Sequence, residues 1–436
     1  MTTEVQAHST AGHATPLAAR KPAVRLVSEE RARSMLRAAG IDLVCAQSDE
    51  HLLYLSGHAP DSTLCHFYDD WACVLYPAPN DLPGALVIPE YDLAYQVTRP
   101  TWLPETRTYG SDWSSAATLL KSIDAGIGVE TALRQPLRHA FAQTRKTFTA
   151  SLTDAIKAYC AAHFGERELT IACDDLRFAK RLEAALPGRV KTVDARPVLR
   201  KIRAVKTEAE IDVLRVTARI NDRALQAAAA AIAPGRAWKE MVLAYRNVLA
   251  AEGAKPLGER GMLFNSGPDG AFVLDHDFGE SQTFHAGETV VLDAICEYRL
   301  YHGDMARTAV IGEPNPKQRR MYAAVTATLD EVEAHVAPGK HTASLSELAS
   351  GVMQRHGFDP QMTTLLFHPI GLEIFDYAQP EHITQGWTLE DSSVVNFEVF
   401  YRDPAEGGMH LEDSIVVRRT GTERFSKFAR DLIVVA

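Results

Sequence analysis

One order of elements appears twice in the second half of the chain, and this repeat constrains the fold more than any other feature. An amphipathic helix pattern ends in Ala-Pro-Gly and a basic residue at 233–236, and a second one ends in the same way at 337–340. Each turn is followed by another helical segment and then by strand-rich sequence. The repeated order indicates an internal duplication. Two copies related by a pseudo-twofold axis would form one curved sheet with helices outside it, and side chains from both copies would meet at its centre.

The chain is long enough for two domains. Its 436 residues exceed what one compact core usually holds. Residues 28–200 alternate short helix and strand patterns and are predicted to form an α/β domain, whereas 201–436 contains the duplicated part, which opens with a capping box at Thr207 and Glu210. Residues 1–27, rich in Ala, Thr and His, are predicted to be a disordered leader. We therefore expect an α+β fold.

Composition excludes several classes of partner. A formal net charge of -10 disfavours nucleic-acid binding, which needs a basic face. No run of about 18 apolar residues occurs, which predicts no membrane span, and the leader lacks the apolar segment of a secretory signal. The six cysteines form no CxxC pair. This pattern is typical of reduced thiols, so we expect a cytoplasmic protein.

Two acidic residues stand in the apolar stretch VVLDAICEYRLYHGDMART (290–308). They are Asp293 and Asp304, 11 positions apart. A tight hairpin centred on Tyr298 and Arg299 would place them directly opposite each other, within about 5 Å. Two carboxylates at that distance repel, so one must hold a proton or a cation must lie between them.

Three further polar residues interrupt apolar strand patterns of the duplicated part. These are Glu398 in SVVNFEVFY, Glu412 in GMHLEDSIVV and His368 in LLFHPIGLEIFDY. Singly, a strand carboxylate usually faces solvent and a histidine in an apolar run is usually a hydrogen-bonded core residue. Together, four carboxylates and one imidazole suit a pair of divalent cations with mostly oxygen ligands. That ligand set favours manganese, and also admits iron(II), cobalt or zinc.

These motifs resemble those of the pita-bread metallopeptidase family, which includes methionine aminopeptidases, proline dipeptidases, Xaa-Pro aminopeptidases and creatinases. LDAICEYRLYHGDMART is similar to the family's D-x-G-x-x-x-x-x-Y-x-x-D-x-x-R-T hairpin, and HLED and NFE are similar to its later ligand strands. RARSMLRAAGIDLVCAQSDEHLLYLSG resembles the start of the creatinase/prolidase N-terminal domain. The resemblance implies a C-terminal pita-bread domain that follows a creatinase-like α/β domain.

The resemblance also implies a role for each ligand. Asp293 would bind the first metal, Asp304 and Glu412 would bridge both metals, and His368 and Glu398 would bind the second. The metal pair would lower the pKa of a bridging water and polarise the substrate carbonyl.

The implied activity is hydrolysis of an amide bond by an Xaa-Pro dipeptidase or aminopeptidase. Glu398 would carry the proton of the attacking water to the leaving nitrogen. His276 lies 17 residues before Asp293, where proline-specific members carry a substrate-facing histidine, and we assign it to the same contact. The alternative for His276 is a surface loop residue.

Three substrate-pocket positions depart from the family pattern. Thr364 and Phe375 stand where the proline peptidases have histidines, and His410 stands where they have an arginine. Exchanging an imidazole for a phenyl ring removes a donor and adds apolar surface, so the preferred substrate should differ. The alternatives are a non-peptidase that acts on a small amide, an amidine or a dimethylsulfoniopropionate-like molecule, and a catalytically silent binding protein.

The substrate is thus expected to be a short peptide or a small molecule. By analogy with relatives, a homodimer is expected. The stretch HFYDDWACVLY (66–76) would then line the partner's pocket, or else form a core strand of its own domain.

Overall fold

A computed structural model describes residues 22–59, 71–110, 121–122, 124–125, 131–258, 261–268 and 282–436. The chain divides into two compact units, Met1–Arg196 and Pro197–Ala436. Most of the expected leader, 1–21, lies outside the described residues, as does His276. Among the helices that are described, none is both long and apolar enough to cross a bilayer.

The first unit is built on a mixed six-stranded sheet. Its strand order is β4-β3-β2-β1-β5-β6, in which β2 is antiparallel to β1 and β3 and the other neighbours are parallel. Apolar side chains of its strands and helices form a main core and a smaller cluster, as expected of an α/β unit. The elements are β1 Leu43–Ala46, β2 Cys73–Pro77, β3 Ala85–Pro89, β4 Glu105–Tyr109, β5 Leu169–Cys173, β6 Val190–Asp194, α1 Glu29–Ala38, α2 Asp49–Ser56, α3 Leu93–Thr98, α4 Thr131–Thr144, α5 Leu152–Phe164 and α6 Leu176–Ala185.

The aromatic stretch 66–76 is described only from Trp71 onwards. Trp71 is buried, and Cys73–Pro77 is a fully buried inner strand of the sheet. The described part of the stretch is therefore a core strand of its own unit, which was one of the two alternatives.

The second unit is built on a nine-stranded sheet. Its order is β11-β12-β13-β10-β9-β7, with β8 also paired to β9, β14 to β13 and β15 to β10. The strands are β7 Lys255–Pro256, β8 Met262–Ser266, β9 Thr289–Tyr298, β10 Tyr301–Ile311, β11 Thr363–Pro369, β12 Val394–Asp403, β13 Gly407–Arg418, β14 Gly421–Arg424 and β15 Ile433–Val435. The helices are α7 Arg196–Arg203, which begins at the boundary, α8 Glu208–Ala230, α9 Trp238–Ala251, α10 Pro316–His335, α11 Thr342–Arg355 and α12 His382–Gln385. The predicted capping box opens α8.

The predicted duplication is confirmed by equivalent contacts in the two halves. Gly235 and Gly339 both have positive φ, which glycine adopts without a steric penalty, and they allow the turn between the paired helices. The Gly235 N–H donates to the Phe284 carbonyl, and the Gly339 N–H donates to the Leu389 carbonyl, at 2.8 Å in both cases. Each residue of β9 has a counterpart 105 positions later in β12.

Each half also has a hydrophobic core of its own. In the first half α8 and α9 pack on β8, β9 and β10, and in the second half α10 and α11 pack on β11, β12 and β13. The inner strands β10 and β13 pair with each other and join the halves into one sheet. The seam between the halves thus runs along β10 and β13.

The register of the β9–β10 hairpin differs from the one predicted. The turn residues are Arg299 and Leu300, not Tyr298 and Arg299, because Tyr298 pairs with Tyr301. Both turn residues have positive φ, 52° and 65°, the conformation of a type I′ turn. Such turns usually contain Asn or Gly, and neither occurs here, so the sequence does not mark the turn.

The shifted turn changes how the two aspartates face each other. Asp293 lies opposite Ala306, and Asp304 lies opposite Ile295. The aspartates are therefore diagonal neighbours on one face of the hairpin, not a directly opposed pair as predicted.

The strained turn leads to a stability prediction. Replacing the exposed Arg299 by Gly should raise the free energy of unfolding by about 1 kcal/mol, because the left-handed conformation costs a residue with a Cβ roughly 1–2 kcal/mol. Arg299→Ala is the matched control, since it removes the same side chain but keeps the Cβ. Urea denaturation measures both variants. A gain in Arg299→Ala equal to that in Arg299→Gly would show that the side chain, not the backbone, is responsible.

Candidate metal centre

A line of acidic residues crosses the seam of the nine-stranded sheet. Residues that lie opposite each other on paired strands point to the same face of the sheet. Four paired residues form one such row. Three of them are acids, which therefore share one face of the sheet, and the fourth is a small residue. The row consists of Asp293 on β9, Ala306 on β10, Glu412 on β13 and Glu398 on β12.

The remaining predicted ligands lie in the neighbouring row on the same face. Residues two positions apart on a strand share a face, which places Asp304 beside Ala306. His368 on β11 pairs with Asn396, which is two positions from Glu398. The fold thus brings the five predicted ligands, which span 120 positions of sequence, to one face of the seam.

Asp304, His368 and Glu412 form a compact group. Their ligand atoms all lie within 4.8 Å of one another. His368 Nε2 is 3.2 Å from Glu412 Oε1 and 3.6 Å from Asp304 Oδ2. Ligand atoms that are about 2.1 Å from a cation and 90° apart are themselves separated by about 3 Å. The group therefore has a spacing that a divalent cation accepts with small adjustments.

The orientation of His368 suits a metal ligand. Its Nδ1 donates to the carbonyl oxygen of Ile374 at 2.9 Å, and a carbonyl can only accept. The lone pair is thereby directed to Nε2, which faces the carboxylates. Phe375, the next residue, is half exposed, and its ring centroid lies 4.7 Å from that of His368.

Buried ion pairs hold the loop that carries Ile374. Asp376 accepts from Arg203 at 2.6 Å and from Lys206 at 3.0 Å, and all three side chains are buried. Burial alone would raise the pKa of Asp376, but the charges of Arg203 and Lys206 outweigh it and hold the pKa well below its usual range. A Cβ on Gly371 would lie 2.7 Å from Asp376 Oδ2, so a larger residue there would displace this ion pair.

A second group shares Glu412 with the first. The ligand atoms of Glu398, His410 and Glu412 also lie within 4.8 Å of one another. His410 Nε2 is 2.8 Å from Glu398 Oε2. Burial opposes ionisation of Glu398, but the hydrogen bond and positive charge of His410 outweigh it and lower the pKa of Glu398.

Aromatic and cationic side chains surround His410. The Phe400 ring stacks on the His410 ring with centroids 4.9 Å apart and planes inclined by 22°. The Arg402 guanidinium lies 4.0 Å over Phe400, and Arg402 Nη1 donates to Thr364 Oγ1 at 2.6 Å. Of the three predicted pocket residues, His410 contacts the predicted ligand Glu398 directly, and Phe375 packs beside the predicted ligand His368. Thr364 is connected to His410 through Arg402 and Phe400.

Two carboxylate oxygens of the group are buried without a hydrogen-bond donor in the described part of the chain. They are Oδ1 of Asp293 and Oδ1 of Asp304. Burial and the neighbouring charge of Glu412 raise the pKa of Asp293 to about 8 and raise that of Asp304 well above its usual range. Carboxylates in this state are stabilised by a cation, which supplies the missing partner and charge. The residues at this site therefore fit a divalent metal.

Sequence reasoning missed two residues that support the ligands. Asn396 Nδ2 donates to Glu412 Oε1 at 2.9 Å, and its Oδ1 accepts from the Ser414 hydroxyl. Ser414 also donates to the Asp304 carbonyl at 3.3 Å. Strand periodicity could have identified both, because Asn396 precedes Glu398 by two positions and Ser414 follows Glu412 by two.

The sequence is similar to known metallopeptidases over its second part. Residues 212–419 match the model of metallopeptidase family M24. The Xaa-Pro dipeptidase of Pyrococcus horikoshii is 28% identical over 237 residues, which are 54% of this chain and 66% of that protein. The Xaa-Pro dipeptidase of Pyrococcus furiosus is 27% identical over 237 residues, 54% of this chain and 67% of that protein. These alignments thus span about two thirds of each relative's length.

Solved structures are similar over nearly the whole chain. The prolidase of Pyrococcus horikoshii superimposes with a TM-score of 0.66 and 20% identity, covering 93% of this chain and 99% of that one. The X-Pro aminopeptidase of Thermotoga maritima gives a TM-score of 0.65 and 19% identity, covering 94% and 99%. These two likenesses establish the pita-bread fold that the motifs predict. The match of residues 212–419 to the model of metallopeptidase family M24 is consistent with this fold.

Proposed function

We propose that the protein is a dinuclear metal-dependent hydrolase that cleaves a C–N amide bond, with an Xaa-Pro dipeptidase or aminopeptidase activity. The observation that carries this proposal is the pair of ligand groups that share Glu412 on one buried face. The similarity of residues 212–419 to metallopeptidase family M24 supports it.

In this proposal five side chains hold two divalent cations. They are Asp293, Asp304, His368, Glu398 and Glu412. The oxygen-rich set favours Mn(II), with Fe(II), Co(II) and Zn(II) as alternatives. When bound, the cations supply a water of lowered pKa and polarise the carbonyl of the scissile bond.

Glu398 moves the proton in the proposed reaction. Its hydrogen bond with His410 favours the ionised form, which can accept a proton from the attacking water. The same carboxyl group then delivers that proton to the leaving nitrogen. His276 is proposed to contact the leaving group, although it lies outside the described residues.

The substrate class is proposed from the relatives and from the pocket. The relatives are named Xaa-Pro dipeptidases, so a short peptide with proline after the scissile bond is the leading candidate. The half-exposed Phe375 beside His368 favours the alternative, a small non-peptide amide or amidine, because it offers apolar surface in place of a donor. Dimerisation and a cytoplasmic location stay predictions.

A substrate panel tests the activity. The Mn(II)-loaded and Fe(II)-loaded protein should hydrolyse Gly-Pro or Ala-Pro dipeptides or longer Xaa-Pro peptides, and a chelator should abolish this activity. Phe375→His restores the imidazole of the proline peptidases and should raise activity on proline substrates relative to small amides. Metal-loaded protein that cleaves small amides and no proline substrate would establish the non-peptidase alternative. Protein that binds no metal and gains no activity with Mn(II) would instead indicate a binding protein.

A further inference from the structure

We propose that His410 is a sixth metal ligand, so that each of the two cations binds an imidazole of its own. This inference rests on the proposed dinuclear centre and deepens it. One cation would be bound by His368 with Asp304 and Glu412, and the other by His410 with Glu398 and Glu412. Asp293 completes the set, and Asp304 keeps the bridging role that the family resemblance implies. His368 and Glu398 would then bind different cations, not the same one as the resemblance implies.

The two groups have the same composition and a similar spacing. Each has one imidazole and two carboxylates, and Glu412 belongs to both. The Nε2–oxygen distance is 3.2 Å for His368 and Glu412, and 2.8 Å for His410 and Glu398. Both values are close to the separation of about 3 Å expected for two ligands of one cation. His410 is thus as well placed to bind a metal as His368 is. A cation bound by Nε2 would replace its hydrogen bond to Glu398 and would keep Glu398 ionised in its stead.

The pseudo-twofold relation between the halves gives His410 a counterpart that is itself a predicted ligand. Asp293 pairs with Ala306 on β10, and its counterpart Glu398 pairs with Glu412 on β13. Asp304 lies two positions before Ala306, and His410 lies two positions before Glu412. His410 therefore occupies on the second half the place that Asp304 occupies on the first.

The surroundings of His410 fix its position before any metal binds. The Thr308 hydroxyl accepts from the His410 backbone N–H at 2.8 Å and donates to the His410 carbonyl at 2.9 Å. Phe400 stacks on the ring, which is buried. Such support limits the rotation of a ligand and lowers the entropy lost when it binds a metal.

Charge also favours an imidazole as ligand at this position. The carboxylates of Asp293, Asp304, Glu398 and Glu412 together balance the charge of two divalent cations. A neutral imidazole adds a nitrogen ligand and leaves that balance unchanged. An arginine, which the family resemblance implies for relatives, has only donors and could not bind a metal. This chain therefore exchanges a side chain that cannot bind metal for one that can.

X-ray absorption spectroscopy of the Zn(II)-loaded protein tests the inference directly, because it counts the imidazoles bound to the metal. The wild type should show two imidazoles for every two cations, and His410→Gln should show one. His410→Gln should also bind the cation next to Glu398 more than about 100-fold more weakly. That loss exceeds the one expected when only an outer hydrogen-bond partner of a ligand is removed. His302→Gln is the matched control, since this buried histidine on β10 lies outside both groups and should leave the count unchanged.

A second variant distinguishes a metal-binding role of His410 from a role as hydrogen-bond donor to Glu398. His410→Asp places a carboxylate where the other half has Asp304, so it should keep two cations per chain with one imidazole. If His410 only donates to Glu398, the wild type should already show one imidazole for the cation pair, and His410→Asp should leave that count unchanged.

The outcomes of this experiment are distinct. One imidazole per cation pair in the wild type, unchanged in His410→Gln, would overturn this inference and leave the dinuclear proposal standing. Failure of the wild type to bind any metal would overturn both.

Discussion

Asp304→Ala should give a folded protein that no longer binds the metal pair and has lost hydrolytic activity by about a thousandfold or more. The carboxylate is proposed to bridge both cations, so its loss weakens two sites at once. Lewis-acid stabilisation by metals is worth several kcal/mol, and each 1.4 kcal/mol corresponds to about tenfold in rate. Metal analysis and the substrate assay measure the two losses.

The fold of this variant should survive for an electrostatic reason. Burial and the charge of Glu412 already disfavour the ionised form of Asp304 and raise its pKa, so removing the group removes a repulsive contact. The midpoint of thermal unfolding of the metal-free variant should therefore equal or exceed that of the metal-free wild type. Glu313→Ala, an exposed carboxylate away from the sheet face, is the control for metal content. Two cations per chain in Asp304→Ala would disprove the bridging role.

Asp376→Ala should have the largest effect on stability, about 3–5 kcal/mol in the free energy of unfolding. Removing one partner of a buried ion pair leaves the other charge buried and uncompensated. Here both Arg203 and Lys206 would lose that partner, and both are buried. Urea denaturation of the metal-free protein measures the loss.

The matched control is Glu373→Ala on the same loop. Glu373 also binds Arg203, but its side chain is 28% exposed, so water replaces much of the lost contact and about 1 kcal/mol or less is expected. Asp376→Ala should also weaken metal binding by roughly 10- to 100-fold, because the loop carries the Ile374 carbonyl that orients His368. Equal stability losses in the two variants would contradict this account.

Much of the candidate site could be predicted from local sequence patterns. Apolar neighbours on both sides placed Asp293, Glu398 and Glu412 in buried strands, and the repeated Ala-Pro-Gly turns predicted the duplication that brings these strands together. The capping box at Thr207 followed from residues that contact each other over three positions. Each of these features depends on neighbours in sequence or on the regular geometry of a strand.

The contacts that the sequence did not reveal depend on tertiary structure. Arg203 and Asp376 are 173 positions apart, and neither stands in a pattern that identifies its partner. The hairpin register depends on Arg299 and Leu300 adopting positive φ, which the surrounding strands impose against the residues' own preference. The contact between His410 and Glu398 required the register of β12 against β13. Each of these three features depends on long-range pairing of residues or strands, which local propensity does not predict.

The duplicated sheet implies that the two halves of the catalytic centre are no longer equal. A perfectly symmetric ancestor would have presented the same side chains on both sides of its axis. Today Asp304 corresponds to His410, and Asn265 on β8 corresponds to His368, since each pair holds equivalent positions in the register. Even with one imidazole each, cations that bind on the two sides would therefore have different neighbouring side chains and should differ in affinity. Gradual chelation should then remove one ion before the other, and the singly loaded enzyme would be a distinct species that can be isolated.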